Sequence, residues 1–328
     1  MENSTTPPSE RIHFKNTPRL LEHEADQEFN ARRLALVPKV ERFLEEESLF
    51  EGKELSVEFA QTGVSSLVCF VECDGKKYVL KVPLSHTMGE AEALFLKKWE
   101  AAGVKTPHVY GDGRLGDHPY LLMEFVEAPV LEDAIAGGTA PETVWRDMGH
   151  TLAQMHTTQG SGFGRIANGK PQYDTFEGWL FSDSTQKRVT TIQNQGLLRS
   201  EHGPIAKVIN MLVAYSEQHP ESTFCHFDFT PPNLLATTPL TVIDPDPTLN
   251  YGVMDIARTI FNMHCSGFAE QAMRIKEGYF EKAEVDEKVL QAAIVLSAHW
   301  KFFFWQKTGR EKEMAEAREF LAAGCHLL

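Results

Sequence analysis

CHFDFTPPNLL, residues 225–235, sets a histidine two places before an aspartate and an asparagine five places after it, then closes on two leucines. Alone, H-x-D-x-x-x-x-N has two readings. One is a His-Asp turn closed by an asparagine cap, since Asn, Asp and Pro are turn formers. The other is a loop whose aspartate accepts a proton while the asparagine helps to hold a cation. The residues downstream favour the second. LLAT (234–237), Thr238-Pro239 and LTVID (240–244) predict a tight two-stranded hairpin that ends at Asp244. It would fold the chain back so that Asp244 lies beside Asp228 and Asn233, with their oxygens converging at one end of a small sheet. That donor set suits a hard divalent cation such as Mg²⁺, which prefers oxygen ligands and keeps several waters.

A second group of residues lies far upstream. Lys81 closes the apolar run YVLK of a predicted strand, a place where a lysine is ordinarily solvated. Here TGVSS (62–66) and a strand precede it, making a flexible turn in which Ser65 and Ser66 could close on phosphate oxygens. The next helix offers Glu92 to fix the lysine by an ion pair, with Glu90 as its rival; either could instead be a solvated carboxylate. MEFVE (123–127) follows, where the β-rich text gives way to α-rich text. It reads as an edge strand, or as a connection whose backbone groups face a planar heterocycle.

These pieces sit in an ordinary globular composition, 42% apolar and 24% charged over 328 residues, enough for two lobes. The net charge of −14 disfavours nucleic acid or an anionic membrane surface as partner; it would suit a cationic substrate, although acidic balance is also common. Cys69, Cys73, Cys225, Cys265 and Cys325 are odd in number and complete no zinc pattern, so they read as buried thiols in a reducing, cytoplasmic setting. No signal peptide and no run of the roughly 18 to 20 apolar residues that span a membrane is seen.

Along the chain, residues 1–16 are polar and rich in Pro, Ser and Thr, and are expected to be loosely attached. Helical spacing follows to about Glu47, then strands at 55–60, 67–74 and 76–84 with Asp74-Gly75 as a hairpin turn. A helix at 89–103 and strands near 108–113 and 119–126 complete a first part. The remainder reads as mostly helical, with Thr139-Ala-Pro-Glu142 as a capping box and Val144, Met148, Leu152 and Met155 on one helix face. Helices are also predicted over 205–218, 254–264 and 291–307.

The order of these features resembles the protein-kinase-like fold, and most closely its aminoglycoside phosphotransferase branch. EALFLKKWEAAGVKTPHVYG (92–111) is similar to that branch's glutamate helix and the strand entry after it. LAQMH (152–156) resembles its LxxLH helix end, and YGVMDIA (251–257) its G-x-x-x-D-L-A segment. The likeness covers about residues 55–260. It implies an α+β, two-lobed fold: an antiparallel-sheet N-lobe over 17–125 and a larger, mainly helical C-lobe over 126–328.

The resemblance also implies roles. Asp228 would be the catalytic aspartate, Asn233 and Asp244 the magnesium ligands, and Lys81 the group on the α/β-phosphates with Glu92 as its partner. The Glu124 carbonyl and Val126 amide would bind adenine, with Met123 behind the ring. His226 and Asp255 would brace the loop. The reaction implied is transfer of the ATP γ-phosphoryl group to a hydroxyl of a small molecule, with a cationic aminoglycoside-like acceptor as one option. Asp246 and Glu270 are then candidates to meet its ammonium groups. A metabolite acceptor (amino alcohol, sugar or glycated amine) and a silent pseudokinase scaffold are the alternatives. Three departures stand out: Phe227 where the branch has glycine, Thr230 where protein kinases carry a lysine, and Pro245-Asp246-Pro247 after the metal aspartate. The missing lysine and the lack of an activation segment (no Phe-Gly after Asp244 and no A-P-E beyond it) argue against a protein acceptor, while the Asp-Pro step bears only on the subfamily.

Overall fold

A strand that alternates inside and outside must bury every second side chain, and LVCFVEC does so. In the computed structural model, which describes residues 11–22, 27–63, 65–84, 91–194 and 205–324, Leu67, Cys69, Val71 and Cys73 are buried along one face of β3 (Ser66–Cys73). Asp74 and Gly75 both take positive φ (52° and 74°), the two-residue turn that matches strand twist, and β4 (Lys76–Pro83) returns antiparallel. With β1 (Ile12–Phe14), β2 (Leu55–Phe59), β5 (Val109–Leu115) and β6 (His118–Glu124) they form a six-stranded sheet in the order β1-β2-β3-β4-β6-β5. All neighbours are antiparallel except β1 and β2. Helix α1 (Gln27–Glu46) adds Leu36, Val40 and Leu44, one residue per turn, to the same core.

The chain divides into two compact units: Met1–Lys97 with Pro107–Glu127, and Lys98–Thr106 with Ala128–Leu328. The division falls inside α2 (Glu92–Ala101), whose end is closed by Gly103 at φ +81°.

Two expectations are corrected here. Residues 11–16 are not loosely attached: β1 pairs with β2, and the Asn16 amide exchanges both hydrogen bonds with Phe59, at 3.0 and 2.7 Å. A side-chain amide thus continues the ladder in place of backbone. Residues 1–10 lie outside the described residues. Thr139 is not a helix N-cap. Its N–H and hydroxyl donate to Ala134 O, at 2.8 and 3.2 Å, and close α3 (Leu131–Ala136). Gly137 and Gly138 end that helix just before it, so the threonine serves the helix behind, and α4 (Val144–Met155) starts later with Thr143 in front of it.

The second unit is helical but built around a small sheet that short polar strands hid from sequence reasoning. β7 (Gln159–Gly160), β8 (Phe163–Ala167), β9 (Lys170–Tyr173), β10 (Ser222–Cys225) and β13 (Thr248–Asn250) run antiparallel in the order β7-β10-β13-β8-β9. Between them lie α5 (Phe176–Leu180), α6 (Asp183–Asn194), α7 (Ile205–Gln218) and the hairpin of β11 (Leu234–Leu235) and β12 (Thr241–Val242). Helices α8 (Gly252–Cys265), α9 (Ala269–Phe280), α10 (Glu287–Thr308) and α11 (Glu311–Gly324) complete the unit. Val144, Met148, Leu152 and Met155 are buried on one face of α4, as their spacing predicts. Helices α4 and α9 approach backbone to backbone: a Cβ on Gly149 would fall on the Ile275 carbonyl, and one on Gly278 on the Arg146 carbonyl.

Among the described residues no helix is long and apolar enough to cross a membrane. Cys69, Cys73, Cys225 and Cys265 are free and buried, and burial pushes the Cys265 thiol up to about 12. Cys325 lies outside the described residues.

Candidate active site

In the second unit β10 delivers the chain into the 225–235 loop, and α8 supplies its anchor. Asp255, fully buried in the first turn of α8, accepts the His226 N–H at 2.6 Å on Oδ2 and the Phe227 N–H at 2.9 Å on Oδ1. His156 Nε2, facing the carboxylate and so carrying the proton, lies 3.1 Å from Oδ2, while Tyr279 Oη meets His156 Nδ1 at 2.8 Å. Burial alone would raise the Asp255 carboxyl. The hydrogen bond and charge of His156, with the hydrogen bond from the His226 N–H, outweigh it and hold the group below its ordinary range. Cys225 could be read with His156 and Asp255 as a metal cluster. Its thiol, however, donates to the Asn250 and Tyr251 carbonyls at 3.4 and 3.6 Å, and Asp255 is saturated by N–H donors, so the trio is a brace.

His226 is fully buried, stacked on the Trp99 indole with centroids 6.0 Å apart. Its Nδ1 accepts the Asp228 N–H at 3.3 Å and its Nε2–H donates to Ile243 O at 3.0 Å. Burial pushes its pKa down, which agrees with this neutral, bridging ring. One side chain thus ties the loop to the strand that leads into Asp244.

Phe227 explains its own departure. It sits at φ +58°, the left-handed region where glycine costs nothing and a side chain costs roughly 1–2 kcal/mol. Its ring is buried, with the Arg258 guanidinium 5.3 Å from the centroid.

The hairpin forms as its sequence predicts. Leu234 pairs with Val242 and Leu235 with Thr241, and the Ile243 N–H donates to Asn233 O at 3.1 Å, so Asp244 follows directly on the residue opposite Asn233. Asn233 Nδ2 donates to Asp228 O at 2.8 Å and to Asp228 Oδ2 at 2.9 Å. That fixes the amide flip by its partners and leaves Oδ1 as an acceptor. The side-chain oxygens of Asp228, Asn233 and Asp244 are of the hard kind that magnesium prefers.

In the first unit Lys81 does not end its strand. It lies within central strand β4, between β3 and β6, and is buried. Its Nζ meets both Glu92 oxygens, at 2.8 and 2.7 Å, an ion pair taken out of water. Glu90 lies outside the described residues. Ser66 opens β3 and Ser65 precedes it, with Ser65 O accepting the Leu84 N–H at 2.9 Å. Met123 is buried on β6, and the Glu124 N–H donates to His108 O at 2.8 Å. Val126 lies in the segment after β6.

Neither residue named for an ammonium-bearing acceptor is poised for one. Asp246 is bound by Arg165 Nη2 at 2.5 Å. Glu270 is exposed in the first turn of α9, with no hydrogen bond or ion pair to the loop among the described residues. Sequence reasoning missed Arg165, Arg188, Arg258 and Lys301, which come from four separate elements and carry no motif.

A sheet bearing a buried lysine–glutamate pair, with a helical unit bearing a braced H-x-D-x-x-x-x-N loop and a hairpin aspartate, is the architecture of the kinase-like phosphotransferases. The chain belongs to the phosphotransferase enzyme family, which it matches over residues 56–288. The fold is similar to that of a thermostable variant of aminoglycoside phosphotransferase APH(4)-Ia in ternary complex with AMP-PNP and hygromycin B. The TM-score is 0.62 and the identity 19%, covering 87% of this chain and 97% of that one. Spectinomycin phosphotransferase APH(9)-Ia, in complex with ADP and spectinomycin, aligns with a TM-score of 0.53 at 14% identity, over 83% and 93% of the two chains. A choline/ethanolamine kinase family protein from Mesorhizobium loti gives 0.56 at 15%, over 88% and 93%. No curated protein sequence matches the chain.

Proposed function

We propose that the protein transfers the γ-phosphoryl group of ATP to a hydroxyl of a small molecule. The observation that carries this reading is the Asn233 amide. It is turned on Asp228 through Nδ2, which leaves its Oδ1 to face a metal and one Asp228 oxygen for a substrate proton, with Asp244 as the second proposed metal ligand. Magnesium, when bound, neutralises phosphate charge. Asp228 orients the acceptor hydroxyl and accepts its proton as the O–P bond forms and the bond to ADP breaks. Lys81, held by Glu92, binds the α/β-phosphates; Ser65 and Ser66 close on phosphate oxygens; Met123, the Glu124 carbonyl and the Val126 amide take the adenine. Such catalysis is mostly positioning, which is why the loop is braced so fully.

The hygromycin B and spectinomycin bound by two similar proteins, and the choline/ethanolamine kinase family of the third, support a small acceptor rather than a protein. The test is ADP release over an acceptor panel. Asp228→Asn should lower transfer by roughly 10²- to 10⁴-fold while Mg-nucleotide still binds in calorimetry. Nucleotide binding with no transfer by the wild type to any acceptor would favour a scaffold instead.

A further inference from the structure

An acidic chain, with 46 Asp and Glu against 32 Lys and Arg, gathers in its helical unit a set of cations with too few carboxylates to match. Arg165 comes from β8, Arg188 from α6, Arg258 from α8 and Lys301 from α10. Helix α10, which carries Lys301, packs on both α6 and α8, which carry Arg188 and Arg258. Arg165 is matched by Asp246. Arg188, Arg258 and Lys301 form no ion pair with any carboxylate among the described residues. Arg258 touches the ring of Phe227, next to Asp228, and its Nε is buried without a hydrogen-bond partner.

Electrostatics gives the same neighbourhood. Burial and then Arg258 pull the half-buried Lys301 ammonium down to about 8, with Asp228 acting the other way. Arg188 is lowered by partial burial, Arg258 and Arg165. Crowding like charges, with Arg258 and Lys301 partly withdrawn from water, is unfavourable unless a counter-charge arrives. Asp228 does not supply it: its Oδ2 takes the Asn233 amide, and no cation stands within ion-pair distance of it among the described residues.

We infer that the acceptor is an anion: a small hydroxy compound carrying a carboxylate or phosphate group, which Arg258, Lys301 and Arg188 receive while its hydroxyl meets Asp228. This rests on the phosphotransferase reading and gives its acceptor a charge. It runs against an ammonium-rich acceptor, because Asp246 is already held by Arg165 and Asp228 is turned to the Asn233 amide.

The test is an acceptor panel with MgATP, read as phosphorylated product. It sets glycerate and glycerol 3-phosphate beside glycerol, choline and hygromycin B, on the wild type and on Arg188→Gln, Arg258→Gln and Lys301→Gln. The anionic members should be preferred, and each substitution should raise KM for them roughly tenfold with KM for ATP unchanged. Arg188 is exposed, so its variant folds whatever the other two do. Neutral or cationic acceptors used as well as anionic ones overturn the inference, as does a rise in KM for ATP in place of the acceptor's. If nothing is phosphorylated, thermal protection of the MgADP-loaded protein decides. Protection by glycerate (a carboxylate) or glycerol 3-phosphate (a phosphate) that is lost in the variants supports the anion site, and its absence overturns it. The phosphotransferase reading stands or falls separately, on ADP release and Asp228→Asn.

Discussion

Two charge systems lie in the same helical unit, one buried and one half-buried, and they are built on opposite terms. Around Asp255 each carboxylate oxygen has a donor, the donors come from the catalytic loop and from the end of α4, and the charge is spent entirely inside the protein. Around Arg258 and Lys301 the charges crowd one another, and no carboxylate among the described residues pairs with them. A saturated charge is architecture, because nothing is left over to bind. An unsaturated one is stored unfavourable energy that a ligand can release.

That contrast can be broken most severely at Asp255. Asp255→Ala strands two loop N–H groups and the His156 ring in the interior and should cost about 3–5 kcal/mol in denaturant unfolding, by the rule for a broken buried charge pair. Loss of under 1 kcal/mol would mean that the brace is not structural.

Lys301 should respond with the opposite sign. Lys301→Met removes a desolvated charge and should stabilise the ligand-free protein at pH 7 by about 2 kcal/mol. The pH dependence follows from its pKa, about 8 in the folded chain against an ordinary 10.5. Between those values the unfolded chain holds the proton and the folded chain does not, so stability rises with pH across that window and the penalty is complete below 8. Chemical denaturation from pH 7 to 10.5 should show this rise in the wild type, and the Met variant should lack Lys301's share of it. The groups that set the window are Arg258, Asp228, Arg310 and Cys265.

The smallest effect sharpens the contrast at Phe227, which joins the two systems through its N–H and its ring. Elsewhere glycine is a worse replacement than alanine. At φ +58° the order should invert, with Phe227→Gly more stable than Phe227→Ala by about 1 kcal/mol in thermal unfolding.

How much of this was legible depended on how local the signal was. The hairpin could be read because its pairing follows from adjacent residues, and it put Asn233 and Asp244 together before any coordinates. Lys81 and Glu92 could be named, but their burial could not, since it depends on strands β3 and β6 closing over β4. The sheet of the second unit went unread because its strands run two to five residues and alternate poorly. The capping box at Thr139 failed because the same threonine is consumed by the helix before it. The cations were invisible for a deeper reason: four elements contribute one each, and only helix packing makes them a set.

Gly149 and Gly278 lie among residues that perform no chemistry, yet they limit how this enzyme can change over generations. Tyr279, beside Gly278, steadies His156, and His156 steadies Asp255. A single methyl group on either glycine would force two helices apart, and the disturbance would reach the loop that Asp255 braces. The residues that choose the acceptor can be exchanged as substrates come and go. The two hydrogen atoms where α4 meets α9 cannot.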